Sequence, residues 1–451
     1  MEFTTKRHEI IVPSPPSHPH ILTLSNIDQI MPPFYISTLY FFPPSSTSLP
    51  SISLTQSLSQ ALAAFPPAAG RLKPRSNGVG TDVECHNQGA MFVEAHTTIT
   101  LNCLLTTGKK DVHCRMYQPS PLWDSLAPDP SQEKSLDKPL LFTQMTRLGC
   151  GGVVMAVVLH HLVADGFGQA HFTKSWTELA RGNPISAHPH LDRTCMQARF
   201  PPYSSFEHQE YIVHKSAPSG LFNTATKDLP PTSSRIFEFL PQDIQSLKEQ
   251  AHSKVGGDDF TGFHVLVAHI WKYVTKAHRV KGSQPIKLGW ALEGRNRFNP
   301  RLPSNYFGNV VFYGYAEERA EVVVAQPLHD VAMHIRCGTQ RITSEYMRSA
   351  VDLIAIQSSP ALVTGSCLEM PTDLFITSLV NFNAYEMDWG WGPPLFFTPT
   401  IPKIHISRGG TVTLLPHSNR RAINALITLF EPQMDALSSD NQFFPISKAR
   451  L

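Results

Sequence analysis

The sequence has few cysteines, little excess charge and no long apolar run. Its seven cysteines are scattered and odd in number, and no two of them form a CxxC pair. This pattern argues against a disulfide framework and favours reduced thiols in an intracellular protein. The formal net charge is only +2, and Lys and Arg nowhere form a dense block. Nucleic acid and anionic membrane surfaces are therefore not expected as the main partners.

No apolar run is long enough to span a bilayer, and no apolar signal-peptide core follows Met1. We therefore expect a cytoplasmic protein without a membrane partner. The tripeptide Ala449, Arg450 and Leu451 loosely matches the small-basic-Leu peroxisomal signal, so the peroxisome is an alternative location. The sequence also has no internal repeat and no Gly-rich phosphate-binding loop, and it predicts a monomer that works on small molecules.

The chain is long enough for two domains, because 451 residues exceed what one hydrophobic core usually serves. Residues 186–231 are rich in Pro, Ser and His and lack sustained periodicity, which is typical of a crossover linker. We therefore expect domains at 1–185 and 232–451.

Hydrophobic periodicity predicts a mixture of helices and strands. Helices are expected at 53–65, 171–181, 241–254 and 261–278. Strands are expected at 34–42, 83–97, 140–148, 152–159, 286–290, 310–315, 401–406, 411–415 and 422–429. Because they follow no regular βαβ repeat, the fold class is α/β with two domains.

The chemistry is expected at the end of one apolar strand. The run 152–159 is β-branched and aliphatic, as in a strand buried on both faces, and His160 and His161 follow it. A histidine titrates near neutral pH, so it can take a proton from a hydroxyl or amine that attacks a carbonyl. His161 is the candidate base, and Asp165 could orient its imidazole or hold the loop. Neighbouring strand residues point in opposite directions, so His160 is expected to pack instead.

Other interpretations of this stretch stay open. An HxxxD pattern occurs in unrelated proteins, and a histidine at a strand end is often a satisfied polar residue. Paired histidines can also bind metal, but no HExxH, Cys pair or third ligand accompanies these two. A zinc site is therefore not expected.

A second motif lies at residues 387–394, where two tryptophans alternate with glycines. Such a stretch predicts a rigid aromatic turn, and taken alone it is consistent with a structural corner. Taken with the histidine motif, it resembles the BAHD family of plant acyl-CoA-dependent acyltransferases, which carries HHxxxDG and then DFGWG. Trp389 replaces the usual Phe. Three further segments resemble family motifs, namely LSNID at 24–28, FPPAAGRL at 65–72 and GRNRFNPRLPSNYFGN at 294–309.

The resemblance implies two pseudo-symmetric α/β domains, similar to chloramphenicol acetyltransferase, with a solvent channel between them. Acyl-CoA enters as co-substrate from one end and a small-molecule acceptor from the other, and no bound cofactor or metal is needed. His161 would act as general base in a direct transfer through a tetrahedral intermediate. Asp165 would point away from the substrate and pair with Arg295.

The resemblance also assigns supporting and binding residues. Gly166, Asp388 and Trp391 would support the structure of the site, and Thr377 would contact the acyl-CoA. Thr38 and Tyr40 lie on an early strand whose counterparts line the acceptor pocket in several members.

Departures from the family pattern bear on the substrates. Members that take shikimate or quinate carry Trp and Arg where this chain has Leu379 and Asn381, so a carboxylated acceptor is not expected. Val310 follows YFGN where malonyl-transferring members usually have Cys, so malonyl-CoA is not indicated either. Acetyl, benzoyl and hydroxycinnamoyl donors stay open.

Two other functional classes compete with this interpretation. Condensation domains of nonribosomal peptide synthesis share HHxxxDG and a two-lobed shape, but they ordinarily lack DFGWG and YFGN. A non-catalytic binding member of the same fold is the other alternative.

Overall fold

The structure is a computed structural model that describes residues 3–44, 53–106, 115–132, 137–215, 230–252, 259–280, 282–365, 368, 370–400 and 410–444. Within these ranges the strands are β1 (Phe3–Ile11), β2 (His20–Leu22), β3 (Tyr35–Phe42), β4 (Arg71–Pro74), β5 (Thr81–Cys85), β6 (Ala90–Thr97), β7 (Met116–Tyr117), β8 (Leu141–Arg147), β9 (Val153–His160), β10 (Tyr211–Val213), β11 (Thr232–Phe239), β12 (Pro285–Glu293), β13 (Val311–Arg319), β14 (Val363–Gly365), β15 (Leu374–Ser378), β16 (Phe396–Pro399), β17 (Thr411–Pro416) and β18 (Ile423–Phe430). The α-helices there are α1 (Asn26–Gln29), α2 (Leu54–Ala64), α3 (Leu101–Thr106), α4 (Gly166–Ala180), α5 (Pro241–Ala251), α6 (Gly262–His278), α7 (Ala320–Ala325), α8 (Leu328–Arg341), α9 (Ser344–Ala355) and α10 (Glu431–Ser438).

The first large sheet contains the histidine strand near its middle. Its strand order is β1-β6-β8-β9-β3-β16, and every residue of β9 is buried. An unbroken β-branched and aliphatic run is what a strand covered on both faces requires. Helices α2 and α4 pack against each other through a shared core that includes Leu58 and Trp176. The strand thus places its last residue, His160, and the following His161 at the edge of the sheet.

The second large sheet has the order β13-β12-β15-β17-β18-β11-β7. Helices α6, α8 and α10 contribute to its core, in which Trp271 and Trp290 are the largest fully buried side chains. A third apolar cluster joins α1 to α9 through Ile27, Ala350 and Ile354. This cluster holds the short helix α1 against the second half of the chain.

The two large sheets exchange strands. β16 pairs with β3 in the first sheet, with Phe397 opposite Tyr40, although it lies late in the sequence. Conversely, β7 pairs with β11 in the second sheet. Each sheet therefore contains one strand from the sequence range of the other, so residues 1–185 and 232–451 are tied together by main-chain hydrogen bonds.

Most predicted elements are present, and their differences have local causes. The predicted strand 83–97 is two strands in different sheets, because Asn87 and Gly89 adopt positive φ values of 61° and 87° and turn the chain between them. The predicted helix 171–181 begins earlier, at Gly166, because Asp165 caps its N-terminus. The predicted strand 401–406 lies outside the described residues. No helix within the described ranges is long and apolar enough to cross a membrane.

Candidate active site

His161 directly follows the carboxyl end of β9 and is half-buried. Its main-chain N–H donates to the carbonyl of Phe34 at 2.9 Å, and the Phe34 ring meets its imidazole edge-on at a centroid distance of 5.5 Å. His160 instead contacts Tyr35, with ring centroids 4.8 Å apart, and burial lowers its pKa to about 3. Its Nδ1 accepts the N–H of Leu162, so His160 is a neutral packing residue, as the strand alternation predicts.

Asn309 fixes the protonation pattern of the His161 ring. Its side-chain nitrogen donates to Asp28 Oδ1 and to the carbonyl of His161, both at 2.8 Å, so its oxygen Oδ1 is identified as the acceptor. That oxygen lies 3.0 Å from His161 Nδ1. Nδ1 therefore carries the proton, and Nε2 keeps the lone pair that a general base needs.

The charge state of His161 suits a base. Burial lowers its pKa below the usual histidine value, and this effect outweighs the opposing contributions of its own carbonyl, Asp165 and Asn309. A lowered pKa keeps the imidazole neutral at neutral pH, which is the form that accepts a proton.

Asp165 and Arg295 form a buried pair beside the histidine loop. Arg295 Nη1 lies 2.8 Å from Asp165 Oδ2, and Nη2 lies 3.0 Å from Oδ1, as in a bidentate ion pair. Asp165 also accepts the main-chain N–H groups of Gly168 and Val310. Burial alone would raise the pKa of Asp165, but Arg295 and these N–H groups lower it below its ordinary value. The pairing that the family resemblance implies is therefore present.

Gly166 lets two distant segments meet at this loop. A Cβ atom at this position would lie 2.5 Å from the Phe382 ring and 3.8 Å from Leu379 Cδ2. A side chain here would push the loop after β15 away from the start of α4. Leu379 thus lies beside the histidine motif, whereas Asn381 is exposed on the same loop. Thr377 is half-buried on β15, opposite Thr413.

Thr38 and Tyr40 lie inside the core, which does not support their expected place in the acceptor pocket. Thr38 donates to the carbonyl of Val157, and the Tyr40 ring packs on Trp389 and Phe397. Both are almost fully buried, and they pair with β9 roughly 10 and 16 Å along the strand from His160. Phe34, which directly precedes β3, contacts the imidazole instead.

The aromatic turn lies at the other end of α4. Asp388 accepts the N–H groups of Gly390 at 2.7 Å and Gly392 at 2.9 Å, and both glycines have positive φ values. Asp388 Oδ2 also lies 3.5 Å from Arg181, the residue that ends the helix. Trp389 and Trp391 are buried in the hydrophobic core of the first large sheet. A helix of 15 residues is roughly 22 Å long, which separates this turn from Asp165 and fits a structural role.

Sequence reasoning assigned no role to Asn309, Asp28 or Arg193. Asp28 and Asn309 lie inside segments that resemble family motifs, but residue type alone does not reveal that they meet each other. Arg193 lies in the predicted crossover 186–231, where composition indicated only a linker. Its Nε is 3.1 Å from Asp28 Oδ2.

A second histidine cluster has the distances of a hydrolase triad. His208 Nε2 lies 2.9 Å from Ser349 Oγ, and His208 Nδ1 lies 2.9 Å from Glu210. However, Ser349 is fully buried and its oxygen accepts the main-chain N–H groups of Ser205 and Phe206. An oxygen with both lone pairs engaged is not a nucleophile. These hydrogen bonds connect residues 205–208 of the crossover to helix α9.

Among the described residues, no three His, Cys, Asp or Glu side chains are grouped to hold a metal ion.

Comparisons with known proteins agree over nearly the whole chain. The model of the Transferase family matches residues 1–444. The chain is 32% identical to hydroxycinnamoyl-CoA:5-hydroxyanthranilate N-hydroxycinnamoyltransferase of Avena sativa, covering 93% of this chain and 94% of that protein. It is 31% identical to omega-hydroxypalmitate O-feruloyl transferase of Arabidopsis thaliana, covering 99% and 93%.

A solved structure supports the fold. Vinorine synthase superposes with a TM-score of 0.75 at 22% identity, and the match covers 98% of each chain. Together with the family match and the relatives, this shows that the chain belongs to the Transferase family of BAHD acyltransferases.

Proposed function

We propose that the protein transfers an acyl group from an acyl-CoA thioester to a hydroxyl or amine of a plant specialised metabolite, with His161 as general base. The observation that carries this proposal is the bond between His161 Nδ1 and Asn309 Oδ1, which leaves Nε2 free to accept a proton. The low pKa of His161 supports it further, because the base is neutral before the acceptor binds.

The reaction is a direct transfer. Nε2 takes the proton of the acceptor hydroxyl or amine while its oxygen or nitrogen attacks the thioester carbonyl. The tetrahedral intermediate collapses, the carbon–sulfur bond breaks, and the imidazolium returns the proton to the leaving thiolate. Asp165 and Arg295 hold the loop, while Asp388 and Trp391 hold the far end of α4.

The proposed donor is a hydroxycinnamoyl-CoA. The names of both relatives support this choice, since one specifies hydroxycinnamoyl-CoA and the other a feruloyl group. The donor would reach His161 through a channel between the halves of the chain, with Thr377 as a contact. We place the enzyme in the cytoplasm as a monomer. The alternative signal at 449–451 lies outside the described residues.

The proposed acceptor is a neutral alcohol, phenol or amine. Three apolar side chains lie at the histidine motif, with Phe34 against the imidazole and Leu379 and Phe382 at Gly166. Desolvating a carboxylate there is costly unless a cation pairs with it, and position 381 supplies a neutral Asn.

Removal of the base tests the proposal. His161→Ala should reduce acyl transfer by about a hundredfold to ten-thousandfold at saturating acceptor, because it removes general base catalysis. The measurement is product formation by mass spectrometry with a panel of acyl-CoA donors and a plant extract. His334→Ala, on α8, is the matched control and should keep full activity. Near-normal turnover of the His161 variant would contradict the assignment.

A further inference from the structure

A second buried ion pair contacts Asn309. Arg193 and Asp28 meet through Nε and Oδ2 at 3.1 Å, and their side chains are only 4% and 0% exposed. A buried pair of charges is costly unless hydrogen bonds satisfy both partners, so the contacts of each are informative.

Asp28 accepts hydrogen bonds on both carboxylate oxygens. Oδ1 takes the main-chain N–H of Asn309 at 2.9 Å and its side-chain amide at 2.8 Å. Oδ2 takes the main-chain N–H and the hydroxyl of Ser25, at 2.9 and 2.8 Å. Both oxygens of Asp28 therefore act as hydrogen-bond acceptors. Because Oδ1 attracts the nitrogen of the Asn309 amide, it turns the amide oxygen toward His161.

Arg193 joins three separate segments. It is ion-paired with Asp28, and it donates hydrogen bonds to the carbonyl of Val163 at 3.0 Å, inside the histidine loop, and to the carbonyl of Phe307. Its guanidinium also lies over the Tyr306 ring, 5.1 Å from the centroid. Arg295 also contacts the segment 306–309, because it donates to the carbonyls of Tyr306 and Gly308. The two arginines therefore hold residues 306–309 from both sides, so that the loop presents Asn309 to the imidazole.

We propose that Asp28 and Arg193 are positioning residues that act on His161 through Asn309 and keep the proton on Nδ1. The inference rests on the proposed function for its kinetic consequence, but the protonation pattern can be measured without any reaction. If the Asn309 amide were reversed, its nitrogen would face Nδ1 and the proton would move to Nε2. An Nε2–H imidazole cannot accept the acceptor's proton, so loss of orientation is loss of the base.

The experiment substitutes the carboxylate by its isosteric amide. In Asp28→Asn, the new NH2 group must face either the donors of Asn309 or those of Ser25 and Arg193. When it faces Asn309, that amide loses its carboxylate acceptor and keeps only the main-chain carbonyls of His161 and Leu162, so its orientation is weakened. The readout is the 15N chemical shifts of His161 in histidine-labelled protein, identified by difference from His161→Gln. Asp352→Asn is the matched control, because Asp352 is also buried and paired with an arginine, Arg199, but its oxygens accept hydrogen bonds from Arg199 and Tyr203 instead of Asn309.

We expect wild-type His161 and the Asp352 control to show Nδ1 protonated and Nε2 unprotonated. Asp28→Asn should show a mixture of both tautomers. It should also lose about tenfold or more in kcat, with little change in the KM for acyl-CoA. If Asp28→Asn fails to fold, the same 15N measurement on Arg193→Lys tests the inference. A lysine ammonium cannot contact the carbonyls of Val163 and Phe307 and the carboxylate of Asp28 at the same time.

Unchanged 15N shifts in the folded variant, or Nε2–H in the wild type, would overturn the inference. Absence of acyl transfer by the wild type, with the expected shifts present, would overturn the proposed function and leave the inference standing.

Discussion

At the scale of single residues, the environment of His161 sets the pH range of the reaction. Burial lowers its pKa, so the neutral base should persist below the ordinary histidine value of 6.5. We therefore expect kcat/KM to stay constant as the pH falls through 7 and to decline only below 6.5, when the imidazole becomes protonated. Asn309→Ala should move this decline to still lower pH, since the Asn309 bond raises the pKa, while also reducing kcat. A wild-type decline centred above 6.5 would mean that another group limits the rate.

Position 381 should control the charge of the acceptor. Asn381 is exposed on the loop that brings Leu379 to the histidine motif, so Asn381→Arg should add a bidentate donor for a carboxylate. We expect kcat/KM for an acidic acceptor, such as shikimate, to rise relative to its reduced alcohol. Asn383→Arg is the control, because this neighbouring Asn is equally exposed and neutral. If the wild-type enzyme already preferred the acidic acceptor, another arginine would have to bind its carboxylate.

From the sequence, single residues of the site can be predicted, but the hydrogen bonds between them cannot. His161 was identifiable because its motif combines a buried strand, a turn and a residue type with suitable acid–base chemistry. Asn309 and Asp28 belong to segments that resemble family motifs, but the sequence does not show that they contact each other. A hydrogen bond between residues so far apart in sequence leaves no local pattern. Tyr40 was assigned to the pocket by analogy, and its burial against Trp389 depends on a strand that arrives from the far end of the chain.

At the scale of elements, α4 connects the site to the aromatic turn through an ion pair at each end. Asp165 and Arg295 are buried at its start, whereas Arg181 and Asp388 at its end are 34% and 23% exposed. Solvent screens an exposed pair, so its coupling should stay below about 1 kcal/mol. The buried pair should instead show about 1–3 kcal/mol of coupling, because removing one partner leaves a desolvated charge.

Double-mutant cycles in urea measure both couplings. Asp165→Asn with Arg295→Ala forms the test cycle, and Asp388→Asn with Arg181→Ala forms the control cycle. Additive losses of unfolding free energy in the first cycle would show that Asp165 and Arg295 do not stabilise each other.

Sequence predicted element type better than element boundaries. The sequence predicts α4 only from His171 because Gly166 and Gly168 are poor helix formers. The Asp165 cap nevertheless starts the helix at Gly166, where the Phe382 ring leaves no room for a side chain. Helices α8 and α9 are absent from the sequence predictions, although Met347, Ala350, Val351 and Ile354 recur at helical spacing on α9 and pack in the third apolar cluster.

At the scale of the whole molecule, strand exchange makes the two halves interdependent. A boundary in the crossover suggests two parts that fold alone, as domains often do. The first sheet, however, requires β16 at its edge, and Trp389 fills the space between Tyr40, Phe42 and Trp176 while being fully buried. A fragment that ends in the crossover lacks both β16 and Trp389.

We therefore expect residues 1–231 expressed alone to be insoluble or to lack a cooperative unfolding transition. Losing the burial of one large aromatic side chain already costs about 3–5 kcal/mol, which is a large fraction of the roughly 5–15 kcal/mol by which a typical domain is stable. Co-expression with residues 232–451 should restore soluble protein, because β16, β7 and the aromatic turn then return to their sheets. Circular dichroism during urea unfolding measures this, with the full chain as control. If the isolated first half unfolded cooperatively, the exchanged strands would be additions to an independent domain, and the crossover would mark a true folding boundary.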